Sequence, residues 1–261
     1  MTGPTTHLDQ LRRDPAFATL RRSLDVYYGD SAREDAMDAL YARFVRSGDL
    51  AFDIGSHVGD RIGAFRRNGA RVVALEPQPL CAAVIRTLYA DDPNVTLVES
   101  ACGPQAGNLK LHINSANPTV TTASLDFVKA ADGAGGWEGQ VWDHEIAVPV
   151  TTLDALIARH GQPAFIKIDV EGFEADVLAG LSQPVAALSF EFTTIQRDVA
   201  FACLDRIAAL GGYRFDLALG ESQQLELGRW STADTLRRHI AALPHDANSG
   251  DVYAKCAAAS T

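Results

Sequence analysis

Little in this 261-residue chain is suited to a polyanion, a lipid bilayer or an oxidising compartment. Lys and Arg number 23 against 33 Asp and Glu, a net charge of −10. Nucleic-acid affinity rests on Lys and Arg neutralising phosphates, so this balance disfavours a dedicated DNA or RNA binder and polybasic docking to an anionic membrane. No apolar run approaches the ~20 residues needed to span a bilayer. The opening MTGPTTHLDQLRRDPAF lacks the apolar core of a secretory signal. Only four cysteines occur (Cys81, Cys102, Cys203, Cys256), with no CxxC pair and no zinc spacing. They read as buried free thiols in a reducing compartment, hence a cytoplasmic protein. Two phosphate-binding signatures are also missing, the G-x-G-x-x-G of dinucleotide folds and the GK[ST] of phosphate loops. What is present is a globular composition, 47% hydrophobic and 21% charged, which excludes a disordered chain.

Residues 1–48 read as a helical extension. Leu8, Leu11, Phe17, Leu20 and Leu24 recur at spacings near three and four. Ser31 with Glu34 forms a capping box for a second helix, and Gly48 is its stop. So short a segment buries too little surface to fold alone, so it is expected to cover a sheet edge or the mouth of a site. From residue 49 to 261 short apolar runs alternate with helical stretches: Leu50–Ile54, Asp60–Asn68, Val72–Glu76, Leu80–Tyr89, Val95–Glu99. The alternation resumes at Phe165–Asp169 and Ala187–Phe192. It predicts right-handed βαβ units and an α/β fold, a mostly parallel sheet with helices on both faces. Tyr213–Leu219 and Asp251–Cys256 are expected to close it as an antiparallel pair. An excursion at about 112–146 breaks the pattern, and its Trp137, Trp142 and His144 either line a pocket or pack a β-excursion onto the sheet. The 220–243 stretch with Trp230 suggests a partly apolar pocket.

Three segments carry chemistry. In AFDIGSHVGDRIG (51–63) a strand ends in Asp53 and the chain turns through Gly55 and Gly59 into a helix. Glycines there allow close backbone approach, and the helix start offers free N–H donors. Asp53 would repel a diphosphate but suits the cationic head of an amino acid. In VVALEPQP (72–79), Glu76 ends the next strand 23 positions after Asp53, where a carboxylate can accept both hydrogen bonds of a ribose diol. Together the two segments specify a nucleoside with a ribose and no pyrophosphate, and S-adenosylmethionine fits better than NAD. In FIKIDVEGFEADVLAGL (165–181), Asp169 opens onto the same crevice, and Lys167 lies in a strand expected to be buried, where it needs a partner. Glu191, ending the following strand, is placed to join Asp169 as a general base or a cation ligand. No metal site is assigned, although Asp169, Glu171 and Glu191 could hold a divalent cation.

FDIGSHVG, VVALEPQP, VPVTTLDAL and IKIDVEGFEADVLAGL, in that order over residues 50–195, resemble the FkbM-type family of S-adenosylmethionine-dependent methyltransferases. The resemblance implies a seven-stranded Rossmann-like methyltransferase fold of class I, S-adenosyl-L-methionine as cofactor, and O-methylation of a sugar, glycoside or polyketide-type natural product. Asp53, Gly55 and Gly59 match the family's glycine loop, Glu76 its ribose acid, and Asp169, Glu171 and Gly172 its second motif. With Ser56, His57, Pro77 and Ser100 beside them, Asp53, Gly55, Gly59, Glu76 and Asp169 form the expected cofactor-binding set. Asp169, Glu191 and His144 are the catalytic candidates. His57 and His112 are further candidates for the base, since a hydroxyl must lose its proton as it attacks. His57, and Arg61 or Ile62, depart from the family pattern, which commonly has Asn at the first and a small or hydroxyl residue near the second. The alternatives are a nucleotide-dependent oxidoreductase or epimerase and a non-catalytic partner subunit. The expected partner is a small-molecule or glycan acceptor, with a homodimer through the N-terminal helices as a further expectation.

Overall fold

The computed structural model describes residues 4–257. In chain order the helices and strands are α1 (Pro4–Arg13), α2 (Arg21–Tyr28), α3 (Ser31–Tyr41), β1 (Leu50–Ile54), α4 (Asp60–Arg67), β2 (Arg71–Leu75) and α5 (Pro79–Leu88). Then come β3 (Val95–Val98), β4 (Ala101–Cys102), β5 (Gly107–Ile113), α6 (Leu125–Ala131), β6 (His144–Thr151), α7 (Leu153–His160) and β7 (Phe165–Ile168). The chain closes with α8 (Glu174–Ala179), β8 (Ala187–Thr193), α9 (Arg197–Leu210), β9 (Tyr213–Leu219), α10 (Ala233–Ala242) and β10 (Ser249–Cys256).

Seven strands form the main sheet in the order β3-β2-β1-β7-β8-β10-β9. β10 runs antiparallel to both neighbours, and the remaining pairs are parallel. The expected end pair of β9 and β10 is therefore present, but β10 inserts between β8 and β9 rather than adding at the edge. The strand order reverses at β1, so the connections leaving β1 and β7 diverge and open a crevice at their carboxyl ends. One face of the sheet packs Phe52, Ile166, Leu188 and Phe215 against α7 to α10. The other packs Ala51, Val72, Phe165 and Tyr253 against α3 and α4. All four cysteines are buried and free. Among the described residues no helix is long and apolar enough to cross a membrane.

Side chains alternate between faces with a period of two, so register decides which groups meet. On the α3/α4 face Asp53 lies opposite Lys167, Lys167 opposite Ser189, and Ser189 opposite Tyr253. Glu191 lies opposite Asp251 on the same face. A buried polar row thus crosses four central strands, leading to the crevice where the strands end.

Three local expectations need correction. The cap of α3 is Asp30, not a Ser31–Glu34 box: its carboxylate accepts the N–H groups of Ala32 and Arg33, leaving Ser31 as the first helical residue. The excursion begins well before residue 112, because β4, β6 and β5 make a second, three-stranded sheet. Its half-exposed strands show no clear apolar run, which hid it. Trp230, half-buried, packs edge-on against Phe44 at 6.1 Å on the margin of the hydrophobic core rather than in a pocket.

The N-terminal helices lie over the loop that follows β1. Leu11, Leu20 and Leu24 bury themselves against Val58 of that loop and against Cys81 and Val84 of α5. The Tyr28 hydroxyl donates to the Val58 carbonyl at 2.8 Å.

Candidate active site

β1 delivers Asp53 to the floor of a cavity of about 260 Å³ at the crevice. Asp53 is 1% exposed and neither of its carboxylate oxygens has a hydrogen-bond partner. Ser56 Oγ donates instead to the Asp53 carbonyl at 2.9 Å. Burial pushes the Asp53 pKa up to about 7. A buried carboxylate without a partner is strongly unfavourable unless a cation meets it. Gly55 adopts φ +85°, and a Cβ there would stand 1.8 Å from the Asp169 carbonyl oxygen. The β1 and β7 turns approach so closely that only glycine fits. Gly59, also at φ +85°, starts α4.

Glu76 projects from the end of β2 and is 2% exposed. Its Oε2 accepts the His57 N–H and its Oε1 the Gln78 N–H, both at 2.8 Å. Each oxygen keeps a lone-pair direction for a further donor. Burial pushes its pKa up to about 8. His57 holds φ +47°, so its backbone N–H reaches Glu76, and its ring lies between Cys81 Sγ (3.6 Å) and Thr119 Oγ1 (3.3 Å). Burial lowers its pKa to about 4, and both ring nitrogens are engaged by these neighbours rather than turned to an acceptor. Ser56, His57, Pro77 and Ser100 all line the cavity. The Ser100 hydroxyl, however, is engaged by the Ala101 and Pro149 carbonyls.

The β7 and β8 ends bring three carboxylates together. One oxygen each of Asp169, Glu171 and Glu191 lies within 4.8 Å of the others, and all three line the cavity. Lys167, fully buried, places Nζ 3.0 Å from Asp169 Oδ2 and 2.7 Å from Asp251 Oδ1. Burial opposes ionisation of Asp169, yet the Lys167 ammonium, with Arg61, holds its pKa below the usual carboxylate range. Burial and the neighbouring Asp169 charge drive Glu191 and Glu171 well above that range. The one lysine thus divides the carboxylates, favouring the charged form at Asp169 and leaving burial to favour the neutral form at its neighbours. Such a trio could also hold a divalent cation. Glu174 serves the backbone instead. Its Oε1 accepts the N–H groups of Val170 (3.0 Å) and Gly172 (3.3 Å), fixing the turn that presents Glu171.

His144 does not reach this site. It is exposed at the first position of β6, paired with Ile113 away from the cavity lining, so the base role expected of it is withdrawn. His112 is buried against Glu145 at 3.3 Å and likewise does not line the cavity. Trp137 does line it, held edge-on to Phe127 at 5.1 Å. Trp142 packs on the same Phe127 and donates Nε1–H to the Val120 carbonyl. Sequence reasoning passed over Tyr27, Asp60, Glu221 and the partner of Lys167, Asp251. The adjacent charges Asp60 and Arg61 in the first turn after Gly59 were a usable signal. Glu221 and Asp251 had none, because each is joined to the site only through long-range contact.

Residues 53–215, more than half of the chain, match the methyltransferase FkbM domain family. The chain belongs to this family. Its methyl donor is accordingly S-adenosylmethionine, and the seven-stranded, mostly parallel sheet is the Rossmann-like fold expected. No curated protein matches the chain. Among solved structures, the FkbM-family chain is similar to a precorrin-6y C5,15-methyltransferase from Geobacter metallireducens GS-15. That pair shares 15% identity over 87% of this chain and 88% of the other, with TM-score 0.42. An rRNA methylase from Streptococcus thermophilus shares 10% identity over 84% and 93%, TM-score 0.43. A TehB-like methyltransferase from Corynebacterium glutamicum ATCC 13032 Kitasato shares 8% over 85% and 87%, TM-score 0.41.

Proposed function

We propose that this FkbM-family methyltransferase acts on a hydroxyl of a small-molecule acceptor, a sugar, glycoside or polyketide-type product, in the cytoplasm. The residues fit the donor on two counts. The buried, partnerless Asp53 carboxylate matches an α-ammonium, and Glu76 retains acceptor capacity for a ribose diol. When bound, the donor supplies an electrophilic methyl group on sulfur. The chain's own residues align the acceptor and receive its proton.

The observation that carries the hydroxyl reading is the Asp169 carboxylate, fixed at 3.0 Å by a buried lysine and facing the cavity beside Glu191. A hydroxyl gives up its proton as its oxygen attacks carbon, and a positioned carboxylate can take it, a contribution of about 10²–10⁴ in rate. Glu191 and Glu171, whose neutral forms burial favours, can hydrogen-bond other oxygens of a polyhydroxylated acceptor. Trp137 offers an apolar wall for a ring.

Incubation of the full chain with S-adenosylmethionine and matched hydroxyl and amine acceptors, read by mass spectrometry, tests this. One added methyl on hydroxyl acceptors is expected, with kcat lowered about 10²–10⁴-fold in Asp169→Asn. Turnover confined to amines, or an Asp169→Asn variant as fast as the native chain, would overturn it.

A further inference from the structure

The N-terminal helices place a charged group behind the cavity wall, against two of its lining carboxylates, that neither the family motifs nor the reaction explains. Arg33 of α3 donates from Nη2 to Asp60 Oδ2 at 2.9 Å and to Glu221 Oε2 at 2.7 Å. Its guanidinium stacks over the Tyr27 ring, 5.0 Å from the centroid. Arg61, in the first turn of α4, donates to the same Asp60 oxygen at 2.7 Å. Toward Glu221 it makes only two longer contacts, both 3.3 Å. Its Nε is buried and without a partner. Tyr27, Asp60, Arg61 and Glu221 all line the cavity that Asp53 floors.

Two guanidiniums here face two carboxylates, and the carboxylates differ. Asp60 is rooted in α4 and side-chain buried at 8%, whereas the Glu221 side chain is 46% exposed. Glu221 sits on the loop after β9, between Gly220 at φ +49° and Gln223 at φ +55°. Its distances to Arg61 exceed the 2.7–2.9 Å usual for an ionic hydrogen bond. Removal of Glu221 leaves one net positive charge at the cavity wall and frees the Arg61 Nη2 that faces it. That is a seat for a carboxylate. An α-amino acid carries its carboxylate on the same carbon as its ammonium, and Asp53 is the matching anion in this cavity.

We propose that Arg61, backed by Arg33, binds the α-carboxylate of the methyl donor, and that Glu221 is an internal carboxylate occupying that seat until the donor displaces it. The N-terminal extension is then part of the donor site. The donor is selected for its amino-acid end as well as for its nucleoside. This inference rests on the reading of the cavity as the donor site.

Calorimetric titration of the full chain with three probes tests it: S-adenosylhomocysteine, its decarboxylated analogue (which keeps the ammonium) and 5′-methylthioadenosine (which has neither charge). In Arg61→Met, S-adenosylhomocysteine is expected to weaken roughly tenfold to a hundredfold, the range for hydrogen bonds to a charged group, while the other two probes are unchanged. In Glu221→Gln, which is close to isosteric and keeps the fold testable if Arg61→Met does not fold, S-adenosylhomocysteine is expected to bind several-fold tighter, again alone. Equal changes in all three probes, or weaker S-adenosylhomocysteine binding in Glu221→Gln, would show a purely structural network and overturn the proposal. If the native chain binds none of the three, the donor site itself is wrong. Binding of 5′-methylthioadenosine with no advantage for S-adenosylhomocysteine leaves the nucleoside site standing and removes only the arginine seat.

Discussion

Replacing Asp53 by asparagine should make the protein more stable above pH 7 while impairing its hold on the methyl donor. Asp53 titrates near 7 in the fold, against 3.8 for a free aspartate, chiefly because it is buried. Between those two values the native state keeps a proton that the unfolded chain has released. Stability therefore falls as pH rises from about 4 to about 7, the reverse of a salt-bridged carboxylate. Moving from 3.8 to about 7, at about 1.4 kcal/mol per tenfold change in proton affinity, means that ionising Asp53 in the fold costs roughly 4 kcal/mol. An asparagine removes that cost but leaves its own buried amide without partners, a loss of roughly 1–3 kcal/mol. The net gain above pH 7 is about 1–3 kcal/mol, and at about 2–4 °C per kcal/mol for a domain of this size it raises Tm by several degrees. At pH 5 only about a third of that cost has accrued, roughly 1.5 kcal/mol, which the loss at the amide offsets, so the gain should vanish. Scanning calorimetry at pH 5.0 and 8.5, with S-adenosylhomocysteine titrated into both proteins, measures both effects. A Tm difference that does not depend on pH, or full retention of ligand affinity by the variant, would refute the reasoning.

Lys167→Met leaves the buried Asp251 and the half-buried Asp169 without their cation, and should destabilise the chain by about 3–5 kcal/mol, seen as a large loss of denaturation midpoint in urea. Gly55→Ala puts a methyl 1.8 Å from a backbone oxygen at φ +85°, whereas Gly48→Ala, at φ +88°, meets nothing within 4 Å. The first should abolish ligand binding or folding. The second should show only the left-handed backbone penalty, about 1–2 kcal/mol, and bind S-adenosylhomocysteine normally. Donor affinity should rise between pH 5.5 and 8, because Asp53 and Glu76 must shed their protons to receive an ammonium and a diol. Calorimetry in buffers of different ionisation enthalpy should then show proton release on binding near pH 6.

The parts of this molecule that could be read in the sequence are those where chemistry and local geometry coincide. β1, β2, β7 and β8 are short apolar runs ending in an acid, and each such run marks a buried strand whose last side chain reaches the crevice. Asp53, Glu76, Asp169 and Glu191 were legible for that reason, as was the need of Lys167 for a partner. The partner's identity was not. Asp251 lies on the last strand, and its placement depends on β10 inserting antiparallel beside β8, which no periodicity encodes. The extent of the second sheet was not legible, because β4 has two residues and β5 and β6 are half exposed, so their alternation resembles loop. His144 misled for the same cause: position in an irregular stretch says little about which side of it a residue faces. Tyr27, Arg33 and Glu221 meet only through contacts between distant segments, with Arg33 and Glu221 188 positions apart.

The most direct test of the donor site is calorimetric titration of the full chain with S-adenosylhomocysteine beside NAD, repeated on Asp53→Ala and Glu76→Ala. Saturable binding of S-adenosylhomocysteine at one site per chain, no binding of NAD, and loss of affinity in both variants is the expected result. Absence of binding, or binding that neither substitution affects, would contradict the assignment of Asp53 and Glu76 to the donor.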